Sequence, residues 1–243
     1  MELTRAIPRI ARVDLVADAV RRLGLVNALL DAFARALNRV SGRRVRLIKY
    51  YLLAQPVPAR EPMPLARASR IEIVPVTRDD PVTDEFPRPQ TVIARRFAEG
   101  AVCLTARVAD RFAGFLWLSL GAYEEDEVRC RYVMTPANST AWDFDVYVHP
   151  DFRMGRTFVQ LWNAANALLR ERGVAWSYSR VSAFNTQSLR AHERFGARRV
   201  ASAVFLCIGP MQLTVASIRP LVHFAASPRS RPVLRLRAPD APA

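Results

Sequence analysis

The chain has 243 residues, of which 51% are hydrophobic, so it can form a sizeable core and is not expected to be disordered. Its net charge of +14 comes almost entirely from arginine, because Lys49 is the only lysine. A GC-rich source produces such an excess without functional meaning. The alternative is an acidic partner, such as a phosphorylated cofactor, an acidic carrier protein or a nucleic acid. No zinc-finger spacing, helix-turn-helix pattern or aromatic–basic motif occurs, so we expect no nucleic-acid partner.

The cysteines and the apolar runs bear on the compartment. Cys103, Cys130 and Cys207 are widely spaced, which favours free buried thiols in a reducing compartment over a disulfide framework or a metal site. The first twenty residues contain several charges and no apolar segment typical of a secretory signal. The longest apolar runs, 112–122 and 203–218, are too short or are interrupted by Gly209-Pro210. We therefore expect a cytoplasmic protein with no membrane span and no metal.

The N-terminal part is predicted to be helical. Apolar residues recur at helical spacing over 12–40, and Gly24 separates two sets of them, which predicts two helices. Segment 45–53 is rich in β-branched and aromatic residues and favours a strand, although a third helix is the alternative. Prolines recur over 55–65 and indicate a linker. We expect 1–65 to be an N-terminal helical extension with a Pro-rich linker.

The middle of the chain predicts strands with one short helix. Alternation over 71–76 indicates a strand, and 91–99 suits a helix ended by Gly100. The apolar runs 101–108 and 112–120 are joined by a three-residue loop, which is typical of a hairpin. Segments 128–134 and 142–148 are further strand candidates.

The last third alternates helices and strands. The pattern predicts a long helix over 155–172, a strand over 174–181, a helix over 186–195 and a strand over 199–208. The strand–helix–strand crossover requires one parallel pair among antiparallel hairpins. The order predicts an α+β fold over 66–215, with a mixed, mostly antiparallel sheet flanked by helices. Residues 216–243 are expected to form an Arg/Pro-rich tail that is loose from Ser227 onward.

Two segments carry chemistry. FDVYVHPDFRMGRTFVQLWNAANALLRERGV, over 144–174, combines a strand, a turn with Arg and Gly, and an amphipathic helix. Such a junction directs backbone N–H groups and the positive end of the helix dipole at one point, which suits a phosphate. VSAFNTQSLRAHERFGARRV, over 181–200, follows as strand, Asn, helix and a Phe-Gly-Ala stop.

In this order and spacing the two segments resemble the acetyl-CoA-binding half of the GCN5-related N-acetyltransferases, the GNAT superfamily. The resemblance is strong over about 142–208 and agrees with the strands back to about residue 71. It implies a GNAT-like fold and an N-acyltransferase that moves an acetyl or other acyl group from a CoA thioester to a small-molecule amine by direct attack.

The resemblance also implies roles for individual residues. The backbones of Val146 and Val148 would pair with the pantetheine arm where two strands splay apart, and Asn185 would contact that arm. His192 stands where many members carry the tyrosine that protonates the leaving thiolate. The pyrophosphate would be held by the turn and the start of the helix, at Arg153, Met154, Gly155, Arg156, Thr157 and Phe158.

The loop departs from the family pattern Arg-x-x-Gly-x-Gly/Ala. Arg156 and Phe158 occupy the two small positions, where a side chain obstructs close approach of backbone to pyrophosphate. One interpretation keeps acetyl-CoA or another acyl-CoA as donor, with Arg156 contacting phosphate. A second takes the acyl group from acyl carrier protein, whose arm ends in a single phosphate and whose acidic surface would dock on the arginines. A third is a non-catalytic GNAT-like binding module.

The acid and base candidates keep alternatives open. His192 is either the general acid or a semi-buried structural residue. Asp143 and Asp145 alternate with apolar residues, so both carboxylates are predicted on one face of the strand, as general base or as its solvated side. The acidic run 123–127 is interpreted as a solvated loop, and the four tryptophans as core. The acceptor amine and the oligomeric state are not identified by the sequence.

Overall fold

A computed structural model describes residues 17–59, 71–153 and 156–239, and a nine-stranded sheet runs through it. The strands are β1 (Val45–Pro56), β2 (Ile71–Val76), β3 (Val102–Val108), β4 (Arg111–Leu120), β5 (Ala122–Glu124), β6 (Arg131–Thr135), β7 (Thr140–Val148), β8 (Trp176–Ser182), β9 (Arg198–Ile208), β10 (Met211–Ala216), β11 (Val222–Ala225) and β12 (Val233–Arg237). The helices are α1 (Leu25–Val40), α2 (Gln90–Ala98), α3 (Thr157–Glu171) and α4 (Thr186–Arg194). Residues 17–23 are also helical, and Gly24, with a φ of 77°, separates them from α1 as predicted.

The strand order in the main sheet is β11-β10-β9-β1-β8-β7-β4-β3-β2. Its described pairs are antiparallel except β7–β8, which the α3 crossover makes parallel. The α+β prediction, the β3–β4 hairpin and the parallel pair are therefore confirmed. The strand expected at 128–134 pairs elsewhere, because β6 lies between β5 and β12 in a separate three-stranded sheet.

Buried apolar residues form a core on each face of the main sheet. On one face Trp142 stacks with Tyr132 and Tyr123 beneath the small sheet. On the other face α3 buries Leu161, Ala165 and Leu169, which recur at helical spacing and pack over β3 and β4. All four tryptophans are buried, as expected. The two cores meet at the middle of the sheet, where β7 and β8 lie side by side.

The strand predicted at 45–53 is confirmed, but its place differs from the expectation. β1 lies inside the main sheet, paired antiparallel with β8 on one side and β9 on the other. A strand covered on both edges and packed on both faces explains the continuous apolar run. The expectation that 1–65 stands apart from the sheet is therefore wrong for the described residues of that segment. Residues 1–16 and 60–70 lie outside the described residues.

The expectation that 216–243 form a tail is wrong over 222–237, and the part expected to be loose from Ser227 onward contains the strand β12. β11 extends the sheet beside β10, and β12 pairs in parallel with β6. In β12 the residues alternate, so Leu234 and Leu236 are buried while Arg235 faces solvent. The arginine and proline content of the tail concealed this two-residue period.

Two further observations concern composition. Cys103, Cys130 and Cys207 are free and buried, as expected. Burial raises the pKa of the Cys103 and Cys130 thiols to about 12, so they stay protonated. Among the described residues no helix is long and apolar enough to cross a membrane.

Leu236→Ala tests whether the tail is structural. Removing a buried leucine side chain should lower the free energy of unfolding by about 2–5 kcal/mol. Arg235→Ala, on the solvent side of the same strand, should change it by less than about 0.5 kcal/mol. Urea unfolding followed by far-UV circular dichroism measures both values. Equal, negligible effects of the two substitutions would mean that β12 does not pack on the core.

Candidate functional site at the opening between β7 and β8

The parallel pair β7–β8 opens after three residue pairs. Pairing runs from Thr140 with Trp176 to Trp142 with Tyr178 and stops, although β7 continues to Val148 and β8 to Ser182. Beyond Trp142, β7 has no strand neighbour on its β8 side among the described residues. The sheet therefore has a wedge-shaped opening at its centre, and this matches the splay that the sequence resemblance implied.

Asp145 interrupts the regular geometry of β7 just beyond this point. Its φ of 49° is left-handed, and the pairing with β4 shifts register so that β7 has one extra residue. The carboxylate accepts hydrogen bonds from Arg88 Nε at 2.8 Å and Arg96 at 2.5 Å. Burial alone would raise the pKa of Asp145, but these hydrogen bonds outweigh it and lower the pKa. An ionised, doubly paired carboxylate is poorly suited to accept a proton.

The environment of Asp143 differs from that of Asp145. Asp143 directly follows the last paired residue of β7, it is 2% exposed, and its carboxylate accepts a hydrogen bond of 2.7 Å from Ser177 Oγ. Burial raises the pKa of Asp143 from 3.8 to about 7, although the hydrogen bond from Ser177 opposes the shift. A carboxyl group that titrates near neutrality is suited to general-base work.

The two aspartates do not share one face of β7. Asp145 contacts Arg96, whose guanidinium lies 5.1 Å from the centre of the Phe144 ring. Asp143 contacts Ser177, whose strand partner Ala141 packs on the α3 side. The prediction of side-by-side carboxylates is wrong because the bulge at Asp145 breaks the two-residue alternation.

A cavity of about 270 Å³ adjoins the opening. It is lined by three arginines, three aspartates and two aromatic residues: Arg88, Arg96, Arg180, Asp126, Asp143, Asp145, Tyr123 and Phe144. Asp143 is thus among the residues that line a space large enough for a small polar molecule. The lining offers both charge signs, so it can orient a polar acceptor by hydrogen bonds.

The acidic run beside the cavity is not a solvated loop. Glu125 is fully buried at its side chain and receives two hydrogen bonds of 2.6 Å from Arg180. Asp126 pairs with Arg95 and with Arg96, the latter at 2.8 Å. These ion pairs join β8 and α2 to the loop after β5 and fix the cavity wall. The one available signal in the sequence was Arg180, the single charged residue of β8.

The turn before α3 lies near the outer end of β7. Arg153 and Arg156 are exposed, and Arg153 Nε donates to the Val148 carbonyl at 3.3 Å. Helix α3 begins at Thr157, Arg156 provides no side-chain cap, and the first N–H groups of a helix have no partner within the helix. Phe158 points inward, toward Trp162 and Phe195. Met154 and Gly155 lie outside the described residues.

His192 in α4 and Asn185 at the N-cap of α4 have contacts that differ from the roles that the resemblance implied. His192 is buried, its ring meets Trp162 edge-on, and its Nδ1 lies 3.3 Å from Gln55 Oε1. Burial lowers the pKa of His192 to about 4, so it is neutral near pH 7, which favours a packing role. Asn185 caps the helix, because its side-chain oxygen accepts from Ser188 N at 3.0 Å.

Comparison with known proteins found similar solved structures. No protein-family model and no curated protein matches the chain. A conserved protein of unknown function from Staphylococcus epidermidis is 14% identical over 70% of this chain and 65% of that one, with a TM-score of 0.47. A Novosphingobium aromaticivorans protein assigned to the GNAT acetyltransferases is 19% identical over 65% of this chain and 63% of that one, with a TM-score of 0.46.

A tandem GNAT protein from the clavulanic acid biosynthesis pathway is 16% identical over 71% of this chain and 57% of that one, with a TM-score of 0.46. The chain therefore spans 57% to 65% of the length of these three structures. The similarity to GNAT proteins seen in the sequence is found among solved structures too. The TM-scores are all below 0.5, so we infer the chemistry from the site geometry of this chain and not from these structures.

Asp143→Asn tests the buried carboxyl. Because the folded state favours protonated Asp143, the unfolded state binds fewer protons, and stability falls as pH rises from the ordinary pKa of 3.8 to about 7. The substitution keeps an acceptor for Ser177 and removes this loss, which is at most about 4 kcal/mol. Scanning calorimetry at about pH 5 and about pH 8 should give a smaller drop in Tm for the variant than for the wild type.

Asp79→Asn is the matched control, since Asp79 is exposed, and it should follow the wild type at both pH values. If the wild type shows no loss of stability between the two pH values beyond that of Asp143→Asn, the carboxyl is not desolvated and the proposed base is excluded.

Proposed function

We propose that the chain is an N-acyltransferase that moves an acetyl or other acyl group from a CoA thioester to a small-molecule amine by direct attack. The observation that carries this proposal is the β7–β8 opening with the buried Asp143 carboxyl at its inner end and the cavity beside it. The buried Asp143 carboxyl and the edge that β8 leaves unpaired belong to β7, and α3 begins at Thr157, soon after β7 ends at Val148. Together they suit a reaction in which two reactants meet inside the sheet.

The free edge of β7 supports the donor assignment. His149 N donates to the Ala113 carbonyl of β4, so the backbone groups of Val146 and Val148 point away from β4 and into the opening. They would hold the pantetheine arm, and the first N–H groups of α3 with Arg153 and Arg156 would hold the pyrophosphate. Bound in this way, a CoA thioester supplies an activated acyl carbon.

Asp143 is the residue to which we assign proton transfer. Its carboxylate would accept the proton of the attacking amine, directly or through a water molecule, within the opening between β7 and β8. The neighbouring carboxylates Asp126 and Asp145 are held by arginines, so they shape the cavity without competing for that proton. His192 and Asn185 then serve packing and helix capping, and we assign neither a catalytic role.

One observation favours the two alternatives, a non-catalytic binding module and a donor carried by acyl carrier protein. The Phe158 ring of α3 lies 6.1 Å from the Phe195 ring after α4, and Trp162 lies 5.8 Å from Phe195. These contacts narrow the gap between α3 and α4, where a long donor arm would pass. A donor presented by acyl carrier protein, with its single phosphate, would need less of this gap and would meet Arg153 and Arg156 at the surface.

The test is release of free thiol from acetyl-CoA in the presence of a panel of small amines. We expect amine-dependent release, with kcat/KM rising through about pH 7 as Asp143 ionises. Asp143→Asn should abolish this rise of kcat/KM with pH and lower kcat at least about a hundredfold. Asp79→Asn should leave the pH dependence and kcat unchanged. Thiol release from acyl carrier protein but not from CoA would identify the alternative donor. No release from either, with CoA binding intact in calorimetry, would identify a binding module.

Arginine substitutions test the phosphate site separately. Arg153→Ala and Arg156→Ala should each raise the Kd for CoA about tenfold, since each removes a charge-assisted contact to phosphate. Arg172→Ala removes an exposed arginine at the far end of α3 and should leave the Kd unchanged. Isothermal titration calorimetry measures all three. Equal Kd values for the wild type, Arg153→Ala and Arg156→Ala would exclude the helix start as the phosphate site.

A further inference from the structure

Among residues 17–59, 71–153 and 156–239, none covers one face of the main sheet over β9, β10 and β11. Directly opposed residues of antiparallel strands share a face, which defines two rows across the sheet. The rows are Lys49–Val204–Val215–Val222 and Leu47–Leu206–Leu213–Phe224. Val222 is 62% and Phe224 60% exposed, so the rows end in open apolar surface. We call the part formed by Val204, Leu206, Leu213, Val215, Val222 and Phe224 the sheet floor.

Helix α1 lies on the same side of the sheet, over β1. Asn27 accepts a hydrogen bond of 2.9 Å from Lys49 Nζ and donates one of 2.8 Å to Tyr51, and both residues belong to β1. Its buried residues are Ala28 and Ala34. This side also carries the half-buried Leu30 and Leu37, so the helix contacts its own sheet through small and polar side chains and two leucines.

The apolar side of α1 faces away from the sheet. Leu29 is 63% and Phe33 54% exposed, and Leu25 and Val26 are exposed beside them. Amphipathic helices of soluble domains normally bury this side. Thus, within the part of the chain that the structure describes, the apolar side of α1 packs against no sheet, and no helix packs on the neighbouring sheet floor. The two surfaces cannot meet within one chain, because α1 already lies on β1 with its apolar side outward.

The dimensions of the two surfaces agree. Three strands about 4.8 Å apart make a floor roughly 14 Å wide, and one helix with side chains is about 10–12 Å in diameter. Together the helix side and the floor expose roughly 1,000 Å² of apolar side chain, more than the ~300–600 Å² patch of an ordinary monomer. A stable interface buries about 800 Å² on each partner. The surface is therefore large enough for a dimer.

We propose that a second copy of the chain covers this surface by reciprocal exchange. The apolar side of each α1 lies on the sheet floor of the other copy, and the two helices form one layer between the two sheets. Helix and floor are different patches, so a twofold axis between the helices brings both pairs together at once. This proposal does not depend on the acyltransferase assignment.

Charge gives the dimer a distinctive salt dependence. Each copy carries a net charge of +14, so association brings like charges together. Salt screens this repulsion, and the dimer should become tighter when ionic strength rises from about 0.05 to about 0.5 M. Binding of the same surface to anionic lipid would weaken over that range, so the direction of the salt effect separates the two occupants.

Sedimentation velocity of the full chain from about 1 to about 100 µM measures the association. We expect a dimer, and we expect Phe33→Glu on the helix and Phe224→Glu on the floor each to raise the dimer Kd at least about a hundredfold, because each buries an unpaired charge. Leu120→Glu is the matched control: Leu120 is exposed at the end of β4, and the substitution should leave the dimer Kd unchanged.

Mixing the two variants tests the reciprocity. A mixed dimer of Phe33→Glu with Phe224→Glu keeps one intact helix–floor contact of the two, so the mixture should dimerise more tightly than either variant alone. A double variant with Phe33→Cys and Phe224→Cys provides a readout without a buried charge, since an interchain disulfide should form on oxidation while the three buried native thiols stay reduced.

Three results would overturn the proposal. The full chain could stay monomeric across the concentration range. Both glutamate variants could associate like the wild type. The monomer could bind vesicles of anionic phospholipid with an affinity that falls as salt rises.

Discussion

The geometry of the site depends on how Arg88 and Arg96 hold Asp145. Asp145 has a left-handed backbone conformation, which a non-glycine residue adopts only when surrounding contacts compensate. Hydrogen bonds from two arginines provide that compensation, and Arg96 is itself fixed by Asp126 and by the rings of Phe144 and Trp117. Removing one partner from such a buried group costs about 3–5 kcal/mol. The bulge in β7 is therefore firmly set.

The bulge separates the chemistry of two neighbouring carboxyl groups. Asp145 stays ionised because guanidinium groups surround it, whereas burial raises the pKa of Asp143 more than its contacts with serine hydroxyl groups lower it. Similar residues two positions apart thus have opposite electrostatic environments. Such a pair gives one structural anion and one titratable group at the same opening. The small sheet and α2 contribute by carrying the acids and arginines that keep this arrangement.

Much of the fold was predictable because it follows from local periodicity. The helical spacing of α3 and α4, the β3–β4 hairpin and the parallel crossover depend on neighbours in sequence, and these predictions are confirmed. The place of β1 depends on pairing with β8 and β9 more than a hundred residues away, which no local pattern specifies. β12 was missed for a different reason: its alternation is short and its composition is that of a tail.

The site was predictable in part. The alternation of 142–146 identified Asp143 as a candidate base, but it could not distinguish Asp143 from Asp145, because the bulge comes from contacts with Arg88 and Arg96 in a distant helical region. His192 was ambiguous because the family position suggested an acid, whereas its burial against Trp162 and Gln55 is a tertiary property. The buried partner of Arg180, Glu125, lies in a run that looked like solvated loop, since charge alone does not reveal pairing across strands.

The central claim is that the free edge of β7 receives the donor. Amide hydrogen exchange of the full chain, followed by mass spectrometry with and without CoA, tests it most directly. We expect slower exchange confined to residues 144–148 and to the first turn of α3, because the backbone groups there gain hydrogen-bond partners. Unchanged exchange in β7, in the presence of CoA binding measured by calorimetry, would contradict the account and would place the ligand elsewhere.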